Sequence, residues 1–221
     1  VACGTKTSEQ KNIKFSIPTD VASLDTTIFT DQYSYDVAGN VEEGLTRVDS
    51  KGNAALALAK SIDVSKDGLT YTVTLRDNLK WSNGDKLTAK DFVYSWKRAV
   101  DPKTGSEYAY LMGAVSGAND IISGKSSLDS LGIKAESDTE FTVTLAQPTP
   151  YFKFLLSEPV YYPLDQKVVD KYGKQYGTSS DKTVYNGPFM FKSDKGWTGT
   201  NKTFSIYANP NYYDKSAVKS K

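Results

Sequence analysis

The 221-residue chain contains no histidine and a single cysteine. Without an imidazole it cannot assemble a Ser-His-Asp or Cys-His nucleophile, and it lacks the commonest metal ligand. One cysteine excludes an internal disulfide and a cysteine-rich zinc site. We therefore expect no catalytic residues, no metal and no cofactor. No run of 18 apolar residues is present, so no membrane-spanning helix is expected. Neither sign of charge dominates, with 27 Lys and Arg against 26 Asp and Glu. Nucleic acid is not an expected partner, because a polyanion needs a basic field that this balance does not supply.

Aromatic residues, by contrast, are plentiful: 15 Tyr, 9 Phe and 3 Trp. Such rings carry large apolar area with a polar edge, which suits both a core and a ligand-facing surface. The length is enough to bury a substantial core and allows one or two domains.

The stretch 69–100 organises the rest. Leu69, Tyr71, Val73 and Leu75 alternate with Thr70, Thr72 and Thr74, the period of a half-buried strand. Asn83-Gly84-Asp85 reads as a turn, because Asn and Gly tolerate positive φ. Thr88 then fits a helix N-cap, with Asp91 three residues on as a short capping box. Phe92, Trp96 and Val100 follow at helical spacing until Asp101-Pro102 stops the helix. Phe141-Thr142-Val143-Thr144-Leu145 nearly repeats the first strand. We expect these two strands to pair antiparallel, with the Phe92/Trp96 helix on their apolar face.

Elsewhere, alternation at Ile13, Phe15 and Ile17 predicts a strand ended by Pro18. Tyr35, Val37, Ala38 and Val41 predict a helix ending at Gly44. Residues 49–52 read as a turn and 61–64 as a strand. A short helix is expected around 118–123, a turn at 128–131, a helical turn at 151–156 and a helix at 165–172 ended by Gly173. Residues 174–186 read as polar loop. Residues 189–192 and 203–208 form a predicted hairpin, and 215–221 a featureless tail. Cys3, preceded by small residues and followed by Gly4 and a polar stretch, has the pattern of a lipoprotein processing site. An acyl chain there would tie the domain to a membrane surface without spanning it.

The run 75–102, LRDNLKWSNGDKLTAKDFVYSWKRAVDP, resembles the signature of extracellular solute-binding proteins of family 5, which serve peptide ABC importers. The resemblance extends through Leu24-Asp25, Glu43-Gly44-Leu45, Tyr108-Ala109, Pro148-Thr149-Pro150-Tyr151-Phe152, Asn186-Gly187 and Asn209-Pro210. It is nearest to the oligopeptide-binding lipoproteins of Gram-positive bacteria. It implies an α/β mixed fold, periplasmic-binding-protein-like type II. This chain would be the first lobe, having a mixed sheet plus an inserted, mainly antiparallel subdomain. The implied division is a tether at 1–12, a discontinuous subdomain from 13–43 plus 165–221, and an insert at 44–164. By the same resemblance, the second lobe would be absent from this chain. The implied partners are short peptides and the importer's transmembrane subunits. The protein would be a monomer on the extracellular face, held by lipid at Cys3.

A tolerant peptide binder should grip the ligand's main chain as an added strand. The matched positions are Thr30, Asp31, Gln32 and Tyr33, expected as a loop at that edge, with Tyr108, Glu158, Asn186 and Gly187 lining the cleft. The solute stays open among peptides, a peptide pheromone, a nickel chelate and an oligosaccharide. A glycosidase finds no marked carboxylate pair here, and a surface adhesin has only aromatic content in its favour.

Overall fold

The computed structural model describes residues 13–220; Cys3 and the tether lie outside them. The first helix, α1, spans Gln32–Val41, and a hairpin of β1 (Thr46–Val48) and β2 (Ala54–Leu56) follows. Strands β3 (Ala59–Val64) and β4 (Thr70–Leu75) lead into α2, Ala89–Val100. After the short helix α3 (Ala118–Ile122) come β5 (Ile133–Ala135) and β6 (Glu140–Thr144). Helices α4 (Phe152–Leu155) and α5 (Gln166–Tyr172) precede a last pair, β7 (Phe189–Phe191) and β8 (Ile206–Ala208).

The expected pairing of the two Thr-Val-Thr strands is observed. β4 and β6 are antiparallel neighbours, with Tyr71 opposite Val143 and Val73 opposite Phe141, inside a sheet ordered β3-β4-β6-β5. Tyr71, Val73, Phe141 and Val143 are buried on one face, as the alternation requires. Helix α2 covers that face: Phe92 stacks on Phe141 at 5.2 Å, and Trp96 meets Phe141 edge-on at 6.0 Å. Burying a ring of this size contributes about 2–3 kcal/mol of transfer free energy. The polar edges are satisfied too. Trp96 Nε1 donates to the Tyr161 carbonyl at 2.9 Å, and Tyr161 Oη donates to the Leu111 carbonyl at 2.6 Å. Asp91 closes the N-terminus of α2 as expected, accepting from the Thr88 amide and from Trp81 Nε1, each at 3.0 Å. Burial pushes the Asp91 carboxyl up to about 6 despite these two donors.

A second, smaller core gathers Val21, Leu24, Val37, Val41, Tyr185, Phe191 and Trp197. Val168, Val169, Tyr176 and Val184 pack with the larger core, so the apolar packing does not change hands at residue 164.

Several expectations need correction. Residues 13–17 form no strand; Ile13 and Phe15 are exposed, and no described strand pairs with them. Alternation supplies a face, not a ladder partner. Helix α1 starts three residues before Tyr35 and ends before Gly44, with extended Glu42 as its C-cap. Gly44 serves close approach instead: a Cβ there would lie 2.7 Å from the Tyr162 ring and 2.8 Å from the Leu156 carbonyl. All strand pairs among the described residues are antiparallel, so the mixed sheet expected in the discontinuous part is a two-stranded pair, β7–β8. Its connection is longer than expected, because 203–205 lies outside β8. The predicted loop at 174–186 has no strand, yet Tyr176, Thr183, Val184, Tyr185 and Asn186 are buried within it. The tail is not wholly featureless, since Lys215–Ala217 makes a 3-10 turn.

Candidate functional site

The site grows from the start of α1. Asp31 is the N-cap, its Oδ1 accepting the Ser34 amide at 2.9 Å. Its Oδ2 is shielded from water and has no hydrogen-bond partner. Thr30-Asp31-Gln32-Tyr33 is therefore a helix start rather than the expected loop, with Gln32 and Tyr33 already in the first turn. Gln32 is occupied along the helix, donating from Nε2 to Asp36 Oδ1 at 2.9 Å. Ser34 Oγ accepts the amides of Ala22 and Ser23, which fixes the strand of chain that enters the helix.

Tyr35, one position past the predicted group, is the centre of the arrangement. Its hydroxyl donates to Glu158 Oε2 at 3.3 Å, across 123 residues of sequence. Its ring meets Phe29 edge-on at 5.1 Å and Tyr108 edge-on at 6.3 Å. Burial first, and then the Glu158 charge, push the Tyr35 hydroxyl above the usual phenol range, so it stays a donor at neutral pH. Tyr108 sits at the head of the 3-10 segment Ala109–Ala114 and donates from Oη to the Thr30 carbonyl at 3.4 Å. Two residues earlier, Ser106 Oγ donates to the Thr27 carbonyl at 2.6 Å. These bonds moor the 106–110 segment to 27–30. Tyr110 extends the row of rings, 6.0 Å from Tyr108, and is 65% exposed. Glu158 is set by the turn that precedes Pro159–Tyr161.

Of the positions matched by sequence, Thr30, Asp31, Tyr108 and Glu158 thus converge around Tyr35. Asn186 and Gly187 do not. They lie at the far end of α1, about 15 Å along a ten-residue helix. There Asn186 Oδ1 accepts the Glu43 amide at 2.9 Å and Nδ2 donates to the Glu43 carbonyl at 3.1 Å. The Gly187 amide donates to the Val41 carbonyl at 2.9 Å, and a Cβ on Gly187 would lie 2.6 Å from the Glu42 nitrogen. The pair clamps the exit of α1 and is buried against it, with the Asn186 carboxamide engaged through both its oxygen and its nitrogen by the Glu43 backbone. Beside it, the Glu43 carboxylate takes Arg47 Nη1 at 3.2 Å and Tyr212 Oη at 3.1 Å.

Tyr35 and Tyr110 had no local mark in the sequence. Tyr35 falls at helical spacing among core residues, and its partner is remote. The arrangement offers ring faces, a carboxylate and main-chain acceptors; it can bind and orient a ligand.

A model of bacterial extracellular solute-binding proteins, family 5 (middle region), matches residues 53–221. A dipeptide-binding protein of Lactococcus lactis subsp. cremoris is 97% identical over the whole chain, which covers 40% of that protein. The oligopeptide-binding protein OppA of Bacillus subtilis is 39% identical over 99% of this chain and 39% of its own length. Among solved structures, Listeria monocytogenes OppA bound to peptide matches with a TM-score of 0.88 at 42% identity, over 91% of this chain and 39% of that one. The chain thus spans about 40% of the length of the curated relatives it matches. With the 69–100 stretch folded as strand, turn and capped helix, and a family match over most of its length, the chain belongs to the bacterial extracellular solute-binding proteins of family 5.

Proposed function

We propose that this chain supplies one wall of the ligand cleft in the peptide-binding component of an ABC oligopeptide importer, a non-enzymatic receptor on the extracellular face of the cell membrane. The observation that carries the reading is the convergence of Thr30, Tyr35, Tyr108 and Glu158 from three distant segments onto one partly open surface. Relatives named for dipeptide and oligopeptide binding support peptides as the solute. In this reading the discontinuous part (13–43 plus 165–221) carries α1, and the insert (44–164) carries Tyr108 and Glu158. Asp31, Gln32 and Tyr33 set the helix that presents Tyr35. Asn186 and Gly187 act as positioning residues that hold the other end of α1. Lipid at Cys3 would anchor a monomer beside the importer's transmembrane subunits.

The test is thermal unfolding with and without a pool of short random peptides. It uses this chain and the same protein extended to the full length of its relatives. A ligand that binds only the folded state stabilises it by about 2.7 kcal/mol at a hundred times its Kd. A raised midpoint in the long form, reduced by Tyr35→Ala, is the expected result. Cooperative melting of the long form with no shift would overturn the proposal.

A further inference from the structure

The rings beside Glu158 allow a sharper reading of the same site, and this reading rests on the peptide-binding function proposed above. Glu158 receives one hydrogen bond from Tyr35, whereas a carboxylate has about four lone-pair positions to fill. Among the described residues, no lysine or arginine nitrogen lies within 4.0 Å of it. It is half-buried, so water serves it only in part. From this carboxylate outward run Tyr35, Tyr108 and Tyr110, each ring roughly perpendicular to the next, at 79° and 75°. The outermost ring, Tyr110, is open to solvent.

Each ring carries partial negative charge on its face, which attracts a cation, and the stem of a lysine or arginine packs well along such a row. A neutral apolar side chain laid there would shield Glu158 further without pairing it, which is costly. An acidic side chain would meet like charge. We infer that Tyr35, Tyr108, Tyr110 and Glu158 form a subsite for a lysine or arginine side chain of the bound peptide.

Calorimetric titration of the full-length protein tests this with tripeptides in which lysine or its uncharged isostere norleucine is placed at each position in turn. Each peptide is used with a free and an acetylated amino terminus. The wild-type protein should favour the charged member of one such pair by about five- to tenfold, and added salt should reduce that margin. Glu158→Gln should abolish the margin between the charged and uncharged member of that pair. Tyr110→Ala, on an exposed ring that the fold does not need, should reduce the same margin and keeps the test alive if Glu158→Gln fails to fold. Loss of the lysine margin in these variants assigns the subsite to that side chain, and loss of the free-amine margin in its place would overturn the assignment. Peptides that bind with no charge preference, or with one that neither variant alters, would overturn the subsite and leave the peptide-binding function standing. No binding of any peptide would overturn both.

Discussion

Helices α1 and α2 are attached to the molecule by different means. Helix α2 buries Phe92, Trp96, Ala99 and Val100 against a four-stranded sheet, and its apolar stripe alone explains its position. Helix α1 offers that kind of surface mainly through Val37 and Val41, in a core of seven buried residues beside a two-stranded pair. What it lacks in apolar contact is made up by directed bonds. Ser34 holds its entry, Gly187 and Asn186 hold its exit, and Asp25, just upstream, forms a bidentate pair with Arg98 of α2 at 2.9 and 2.7 Å. Packing places an element broadly; hydrogen bonds place it to a fraction of an ångström. The candidate ligand residues sit where the bonded helix meets the packed scaffold, the arrangement a site needs to be both accessible and well positioned.

The contrast can be broken at its strongest point first. Phe141→Ala removes the ring shared by Phe92 and Trp96 and should cost about 4 kcal/mol, read from the urea midpoint at unchanged slope. Next, Arg98→Ala leaves Asp25 charged and buried and should cost roughly 3 kcal/mol. If Arg98→Ala were neutral, the ion pair would not be the joint between the two regions. Asn186→Ala strips the Glu43 backbone of its two partners, for about 2 kcal/mol, and should speed hydrogen exchange in α1 more than in α2. Equal acceleration in both helices would mean that α1 has no separate attachment.

The finest contrast concerns pH. Glu42, at the exit of α1, is held well above the usual carboxylate range by burial first and then by the nearby Asp25 charge. Tyr162, Tyr176 and Tyr185 also face it, and each is raised by burial first and then by its charge. A carboxyl raised by folding gives stability that is complete below its unfolded pKa and is lost as pH climbs through the folded value. Melting temperature followed from about pH 4 to about pH 9 should therefore fall with pH, and Glu42→Gln should flatten that fall. A variant profile parallel to wild type would remove Glu42 from the account.

Where an element's cause is local, the sequence was enough to find it. The strict period of two in 69–75 and the cap, stripe and Pro102 around α2 each state their own structure. The start of α1 is also visible in principle, because Asp is a favoured N-cap residue and Asp31 stands just before the helical spacing of Tyr35, Val37, Ala38 and Val41. The polar composition of 30–33 masked it as a loop. The strand expected at 13–17 fails for the opposite reason: the local pattern is complete, but no strand among the described residues pairs with it. The site divides the same way. Tyr108 and Glu158 came from the matched motif positions, while Tyr35 is set by a contact 123 residues long and Asn186 by one of 143. Asn186-Gly187 has the composition of a turn in either role, and only the fold distinguishes a clamp from an open ligand group.

The bond from Tyr212 to Glu43 joins residues 169 apart. On a ribosome adding about 5–20 residues per second, roughly ten to thirty seconds separate the two. Asn186 arrives only shortly before Tyr212. The β4–β6 pair is complete once Thr144 is made, and the Tyr161 carbonyl that receives Trp96 of α2 follows, while the exit clamp of the helix bearing Tyr35 still waits for Asn186 and Tyr212. Helix α1 therefore gains its clamp only after the central sheet has its parts, and until then its apolar side is available to whatever chaperone meets it first.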